Sequence, residues 1–466
     1  MSSHFSGALR LTDLDDFIAP SQECIKPVEI KKEKSLTGAK LKLNDAGFKA
    51  DRVKVPEKIS KVEITLADCL ACSGCITSAE SVLITEQSQE ELLKALTLNK
   101  SLKLSSSNDS KLVIISLAVQ PIVSLSIKYG LSVQDTAEKV SGYFKSLGAD
   151  LVIDMKIADD ISLVENATEF IERYHSKQNL PMLASACPGW VCYAEKAHGY
   201  ILPNISTAKS PQQVIGSLVK DIAGERGVYH VTLMPCYDKK LEASRQDFYD
   251  ELLNKRDVDC VITPIELEQM LQSDNIHLSE VESRNLDDIW KNSKTEEKVK
   301  LYSQQGSNSG GYSSFIFKQA ARDLFNIENA EPVFTNVRNP DFKEASLTVN
   351  DEVVLRFAIA NGFKNIQNIM QKMKRGKVQY DFIEIMACPS GCLNGGAQNR
   401  PAEGVPNKQY IQNLEEVYST LPVCDPHNNE NLNKIYKDKN SDKIKHDFHT
   451  SYKAVEKSTT SLLIKW

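Results

Sequence analysis

Phe382-Ile-Glu-Ile-Met386-Ala-Cys388-Pro-Ser-Gly-Cys392-Leu-Asn-Gly-Gly396 is the stretch on which the fold of this chain turns. Its first five residues read as a strand. Two cysteines follow at once, set among proline and glycine. The Cys-x3-Cys spacing fits one helical turn, with both thiols on one face. The carboxyl ends of parallel strands are where α/β proteins gather ligands. Small turn residues let backbone N–H groups point at sulfur, which stabilises an anionic metal cluster.

Two further cysteines share this context. Cys187 lies in Ser-Ala-Cys-Pro-Gly-Trp after the apolar Pro181-Met-Leu-Ala, and Cys236 in Met234-Pro-Cys-Tyr-Asp-Lys-Lys-Leu-Glu242 after another strand candidate. A lone cysteine so placed is usually structural; three segments with matching chemistry point to a metal site. Nearer the N-terminus, Cys69-Leu-Ala-Cys72-Ser-Gly-Cys75 forms a tight thiolate comb. Ferredoxin-type Cys-x2-Cys-x2-Cys runs present sulfurs to a cubane iron–sulfur cluster in this way. Zinc sites more often use separated pairs, so the comb favours iron–sulfur. The ferredoxin run continues with x3-Cys-Pro, but Ala79 stands there. The fourth ligand must come from elsewhere.

Working outward, Leu112-Val-Ile-Ile-Ser-Leu is a continuous apolar run suited to a strand buried on both faces. A helical pattern ends near Gly148, Leu151-Val-Ile-Asp reads as a second strand, and residues 165–174 as a helix. The rhythm resumes with strand candidates at 229–234, 258–263 and 382–386. Strand–helix alternation of this kind predicts parallel sheets covered by helices, an α/β fold. Gly306-Ser-Asn-Ser-Gly-Gly reads as a turn leading into a helix over 314–325. Residues 88–98 read as a helix, and the serine-rich 101–110 stretch as a boundary. The predicted organisation is an N-terminal cluster module over 1–105, a main α/β domain over 106–400, and a polar region over 401–466 whose 425–460 part reads as loose helix or tail.

The 466 residues leave room for two or three domains. With 41% hydrophobic and 25% charged residues the composition is that of a soluble globular protein. A net charge of −6 argues against a nucleic-acid partner, and no apolar run reaches membrane-spanning length. The first residues carry neither a signal-peptide core nor the basic, acid-poor character of a transit peptide. Eleven cysteines without a secretory signal point to reduced thiols and metal rather than disulfides. The expected compartment is the cytoplasm, with the nucleus as a second. Cys192, Cys260 and Cys424 read as packed, buried and exposed respectively, the histidines show no metal spacing, and no phosphate-binding Gly-x4-Gly-Lys loop appears.

Taken together, the segments around Cys187, Cys236 and Cys388/Cys392 resemble the three signature motifs of iron-only hydrogenases. The chain as a whole resembles the eukaryotic iron-only-hydrogenase-like proteins over roughly residues 1–420, since the comb and the three motifs occur in that family's order. The resemblance implies a two-lobed iron-only-hydrogenase-like domain preceded by a small ferredoxin-type module. It implies two 4Fe-4S clusters, one on Cys24, Cys69, Cys72 and Cys75, the other on Cys187, Cys236, Cys388 and Cys392. It also implies a place in cytosolic iron–sulfur protein assembly, between upstream scaffold proteins and a targeting complex with a WD40-type subunit. The family's nuclear branch, which recognises prelamin A, supplies an interaction-protein alternative.

The chain departs from the hydrogenases where their chemistry is done. Ala186 stands where their first motif has a proton-relaying cysteine, and the third motif ends Gly396-Ala397-Gln398-Asn399. Lys239 and Glu242 are kept, but a counter-charge for an anionic cluster and its salt-bridge partner account for both. Alanine carries no proton, so hydrogenase activity is not expected. A cubane held by four thiolates leaves no open coordination position, which favours electron transfer or cluster delivery over catalysis. The chain ends Leu462-Leu-Ile-Lys-Trp466. A terminal Trp with its free carboxylate looks like the tag by which clients dock on the targeting complex, an apolar anchor joined to an anion.

Overall fold

A computed structural model describes residue 84 and residues 86–455 apart from 106, 224–226, 251–254 and 291–297. The chain divides into two units: residues 1–81 with 459–466, and residues 82–458. Cys24, Cys69, Cys72, Cys75 and Trp466 therefore lie outside the described residues, as does the strand expected just before the comb.

The larger unit is built on two sheets. In the first, β1 (Leu112–Leu117), β2 (Leu151–Asp154), β4 (Val228–Leu233) and β7 (Cys260–Ile262) run parallel in the order β2-β1-β4-β7. The chain moves from β1 to one side for β2 and to the other for β4. That reversal opens a crevice at the strands' carboxyl ends, the usual place for a ligand. In the second sheet, β3 (Met182–Ala184), β11 (Phe382–Met386) and β10 (Glu352–Asn361) are parallel, and β9 (Asn339–Val349) and β8 (Thr335–Val337) continue it antiparallel. A short ribbon of β5 (Tyr249–Asp250) and β6 (Lys255–Arg256) lies apart from both.

Strand periodicity explains the packing. Along β1, Val113, Ile115 and Leu117 enter one apolar cluster while Ile114 enters another on the opposite face. Helices cover both faces: α1 (Gln89–Leu104), α2 (Val119–Tyr129), α3 (Val133–Leu147) and α8 (Pro264–Ser273) on the first, and α6 (Pro211–Ala223) on the second. Helix α4 (Lys156–Ser176) joins the lobes. Its Ile157 and Ile161 pack with the first sheet, and its Leu163, Ala167 and Phe170 enter the second sheet's core. There Phe170 meets Phe357 edge-on at 5.3 Å and Phe357 stacks on Phe382 at 5.0 Å. Helices α5 (Pro188–Ala197), α7 (Asp238–Ala243), α9 (Tyr312–Phe325) and α10 (Phe363–Lys374) complete the unit before the C-terminal region.

Several expectations need correction. Helix α1 runs past residue 98 to Leu104 because Leu92 and Leu96 anchor it to the first lobe and Lys103 pairs with Asp150 at 2.6 Å. The C-terminal region is not loose through residue 455. It forms α11 (Asn407–Ser419), α12 (Glu430–Asp438) and α13 (Ser441–Phe448), with Phe448 fully buried. His449 ties this region to the main unit, its ring nitrogens bonding Thr207 Oγ1 and Glu165 Oε2. The charged residues dominate the composition there, but apolar spacing on each short helix still makes one buried face.

Candidate metal centre

Three strand ends converge on one place. Cys187 follows β3 and caps the start of α5. Cys236 sits between β4 and α7. Cys388 and Cys392 follow β11, with Cys392 opening a short 3-10 turn. The first sheet thus contributes one thiol and the second sheet three. The thiols are close enough to interact: Cys187, Cys388 and Cys392 all raise the pKa of Cys236, and Cys187 and Cys392 both raise that of Cys388.

Burial dominates their electrostatics. It pushes the Cys187 thiol up to about 12, with Cys392 and Asp238 adding to the effect. Cys236 and Cys388 are also raised well above the ordinary thiol value by burial and neighbouring negative charge. Opposing this, the backbone N–H groups of Ala387 and Trp190 donate to the Cys187 sulfur, and that of Gly396 to Cys388. Such a group holds its protons until a cation arrives, so metal uptake must release protons.

The segments are fastened to one another. The Cys187 N–H donates to Ser185 Oγ at 3.1 Å, and that hydroxyl donates to Ile385 O of β11 at 2.5 Å. The Ala397 N–H donates to Pro235 O at 3.1 Å, tying the Cys392 segment to the Cys236 segment. A Cβ on Gly395 would lie 2.4 Å from Pro235 O, so this crossing requires glycine. The 388–392 spacing is not a helical turn as its pattern suggested. Ser390 (φ 60°) and Gly391 (φ 79°) are left-handed and reverse the chain instead.

Lys239 is buried and faces Cys392, whose thiolate it favours. It pairs with buried Glu242 at 3.1 and 3.0 Å and also donates to Ser210 Oγ. Glu242 accepts from Ser210, Gln212 and Gln213 as well. Ala186 packs its methyl against the second lobe's core.

The residues that hold this centre from outside went unread in the sequence. Asn308 Nδ2 donates to Ser390 O at 2.9 Å, and the Cys392 N–H donates to Ser309 Oγ at 2.9 Å. Fully buried Glu384 accepts from Ser307 Oγ and from the Ser313 N–H. The available signal was the Gly306-Ser-Asn-Ser-Gly-Gly run, which reads only as a turn until its neighbour is known.

Among the described residues, no three His, Cys, Asp or Glu side chains are arranged to hold a single metal ion. A cube makes a different demand, since each sulfur grips its own iron at a separate corner. A cleft of about 850 Å³ reaches the Cys388–Cys392 turn at Ser390 and is lined also by Ser307 and Asn308. A larger hollow of about 930 Å³ lies beside Asp154 at the end of β2, and neither is lined by any of the four thiols.

Residues 111–396 match the family described as iron-only hydrogenase large subunit, C-terminal domain. The chain belongs to the iron-only hydrogenase family. Within and around that family it is similar to proteins named probable cytosolic Fe–S cluster assembly factor. The one from Aedes aegypti is 55% identical over 480 residues, and that from Drosophila willistoni 54% identical over 479, each covering all of both chains. Among solved structures, apo FeFe-hydrogenase from Chlamydomonas reinhardtii shares the fold, with a TM-score of 0.66 and 24% identity over 78% of this chain and 98% of that one. A second structure of the algal enzyme gives a TM-score of 0.67 over the same shares. The parallel-sheet α/β architecture expected from the sequence is therefore the hydrogenase-like fold. The family implies iron–sulfur clusters, and the four-sulfur donor set, with peptide N–H groups on two sulfurs and one lysine opposite, fits such a group.

Proposed function

We propose that this chain is a component of cytosolic iron–sulfur protein assembly, a carrier and adaptor rather than an enzyme. It holds two 4Fe-4S clusters, one on Cys24, Cys69, Cys72 and Cys75 and one on Cys187, Cys236, Cys388 and Cys392. The first belongs to an N-terminal module over 1–105, the second to the 106–400 domain, and the 401–466 region ends in a docking tryptophan, Trp466. It stands between upstream scaffold proteins and the targeting complex that loads cytosolic and nuclear apoproteins, and works in the cytosol. The names borne by its insect relatives support this pathway over a prelamin-binding role.

The observation that carries the reading is the meeting of four thiols, Cys187 buried and Cys236, Cys388 and Cys392 half-buried, from three strand ends beside an alanine at position 186. The cluster's resident chemistry would be one-electron exchange, since four thiolates leave it no open position. The side chains do the rest: they exclude water, set the charge around the sulfurs, and lack the thiol that would move a proton at position 186. Anaerobic reconstitution with iron and sulfide analysis tests it. The full chain should take up about eight irons, by the two-cubane reading, and Cys392→Ala about four retained firmly. Equal iron in both, or zinc in place of iron, would refute the assignment.

A further inference from the structure

The 306–311 loop is a conspicuous sequence motif that cluster ligation leaves unexplained. It supplies no sulfur, yet it is pressed onto the Cys388–Cys392 turn. A Cβ on Gly391 would lie 2.3 Å from Asn308 Oδ1 and 2.4 Å from Ser309 Oγ, so the turn and the loop touch with no room for a methyl group. Two hydrogen bonds join them: Asn308 Nδ2 to Ser390 O, and the Cys392 N–H to Ser309 Oγ, both 2.9 Å. Ser309 is buried, and its hydroxyl also donates to Asn308 Oδ1 at 2.9 Å.

The loop is itself braced. Gln120 Nε2 donates to Asn308 O at 3.1 Å, reaching across from the first lobe. Ser307 Oγ donates to Glu384 Oε1 at 2.6 Å, and the Gly311 N–H donates to Ser307 Oγ at 3.0 Å. Glu384 belongs to β11, the strand that delivers Cys388 and Cys392. Gly310 and Gly311 are left-handed, which lets the loop double back before α9 begins. On its other side the loop lines the 850 Å³ cleft with Gly306, Ser307 and Asn308.

We propose that the 306–311 loop is a clasp on the second cluster site and that Ser309 is its positioning residue, fixing Cys392 and controlling how readily that cluster is released. The inference rests on the four-cysteine assignment made above. Two consequences follow from the chemistry of the contact. The Cys392 N–H is engaged by Ser309 and so cannot turn toward a cluster sulfur. The single proton of the Ser309 hydroxyl goes to Asn308 Oδ1, so the residue acts on the cluster by withholding that N–H, whose donation to sulfur would favour the more negative, reduced cluster. Groups of this outer kind alter metal retention by about 10- to 100-fold when removed.

The test uses the full-length chain reconstituted anaerobically with both clusters. Release of iron to a ferrous chelator and the midpoint potentials of the two clusters, followed by electron paramagnetic resonance, are the readouts. Ser309→Ala should load fully, then lose iron from the second site about tenfold faster, with that site's potential shifted upward by the freed Cys392 N–H and the N-terminal cluster unchanged. Ser309→Thr, which keeps the hydroxyl, should restore both values. Asn308→Ala removes the other fastening and should accelerate release without the same shift in potential. Cys392→Ala run alongside separates the two failures. If Cys392→Ala loses the second cluster while Ser309→Ala releases iron at the wild-type rate and potential, the clasp is refuted and the ligand assignment survives. If Cys392→Ala keeps all its iron, the assignment falls and the clasp with it.

Discussion

Replacing Lys239 by methionine probes the charge balance of the centre most directly. Lys239 and Glu242 are both buried, and the ammonium makes two contacts to the carboxylate at 3.1 and 3.0 Å. Removing one member of a buried pair strands the other charge and costs about 3–5 kcal/mol. Glu242 keeps three neutral donors, from Ser210, Gln212 and Gln213, which offset part of that cost. The loss should therefore fall at the low end, about 3 kcal/mol. Adding Glu242→Gln removes the stranded charge, and the double variant should regain roughly 2 kcal/mol of it. Urea denaturation of the metal-free chain under reducing conditions, followed by circular dichroism, measures both values free of any effect of metal loading. On the reconstituted protein, losing the cation that faces Cys392 should also lower the second cluster's potential. A cost below about 1 kcal/mol for the single variant, or no recovery in the double, would refute the view of this pair as buried counter-charges.

Three other outcomes are expected. Gly395→Ala forces a methyl group to within 2.4 Å of Pro235 O and should pry the Cys236 and Cys392 segments apart, leaving about four irons instead of eight on iron and sulfide analysis. His230 is buried, with Nδ1–H donating to Asp257 O and Nε2 accepting from Ser116, and burial lowers its pKa to about 4 from 6.5. Because the folded value is the lower one, its contribution is complete above about pH 6.5 and is lost as pH falls from there to 4, roughly 3 kcal/mol in all. The same titration in His230→Gln should lack that portion of the pH dependence. Deleting Trp466 should weaken co-purification with the targeting complex while leaving the iron content unchanged; undiminished binding would exclude the anchor.

The parts of the fold that could be read were those where one physical signal dominates. The runs 112–117 and 382–386 are strands at just those positions, because a strand buried on both faces has little room for polar residues. The cysteines beside proline and glycine could be placed at strand ends for the same reason: a turn directly after an apolar run leaves few alternatives. Other elements were hidden by competing signals. The β9–β10 hairpin turns through Asn350 and Asp351, both left-handed, a sequence that lacks the glycine which usually announces such a turn. The turn at Ser390 could not be told from a helical one by cysteine spacing, since the bonds that hold it come from Asn308 and Asp341, far away in sequence. Ser309 was unreadable on the same ground.

The four thiols come from both sheets, and the last of them is encoded more than two hundred residues after the first. On the proposed ligand set, an inorganic cube gripped at all four corners would be a rivet through the two halves of the fold. Its binding energy would hold the lobes together, and a ribosome must pass residue 392 before the hole for the rivet exists. A copy cut short before Cys392 could keep at most the N-terminal cluster, so iron at the second site would mark a chain in which both lobes have been made.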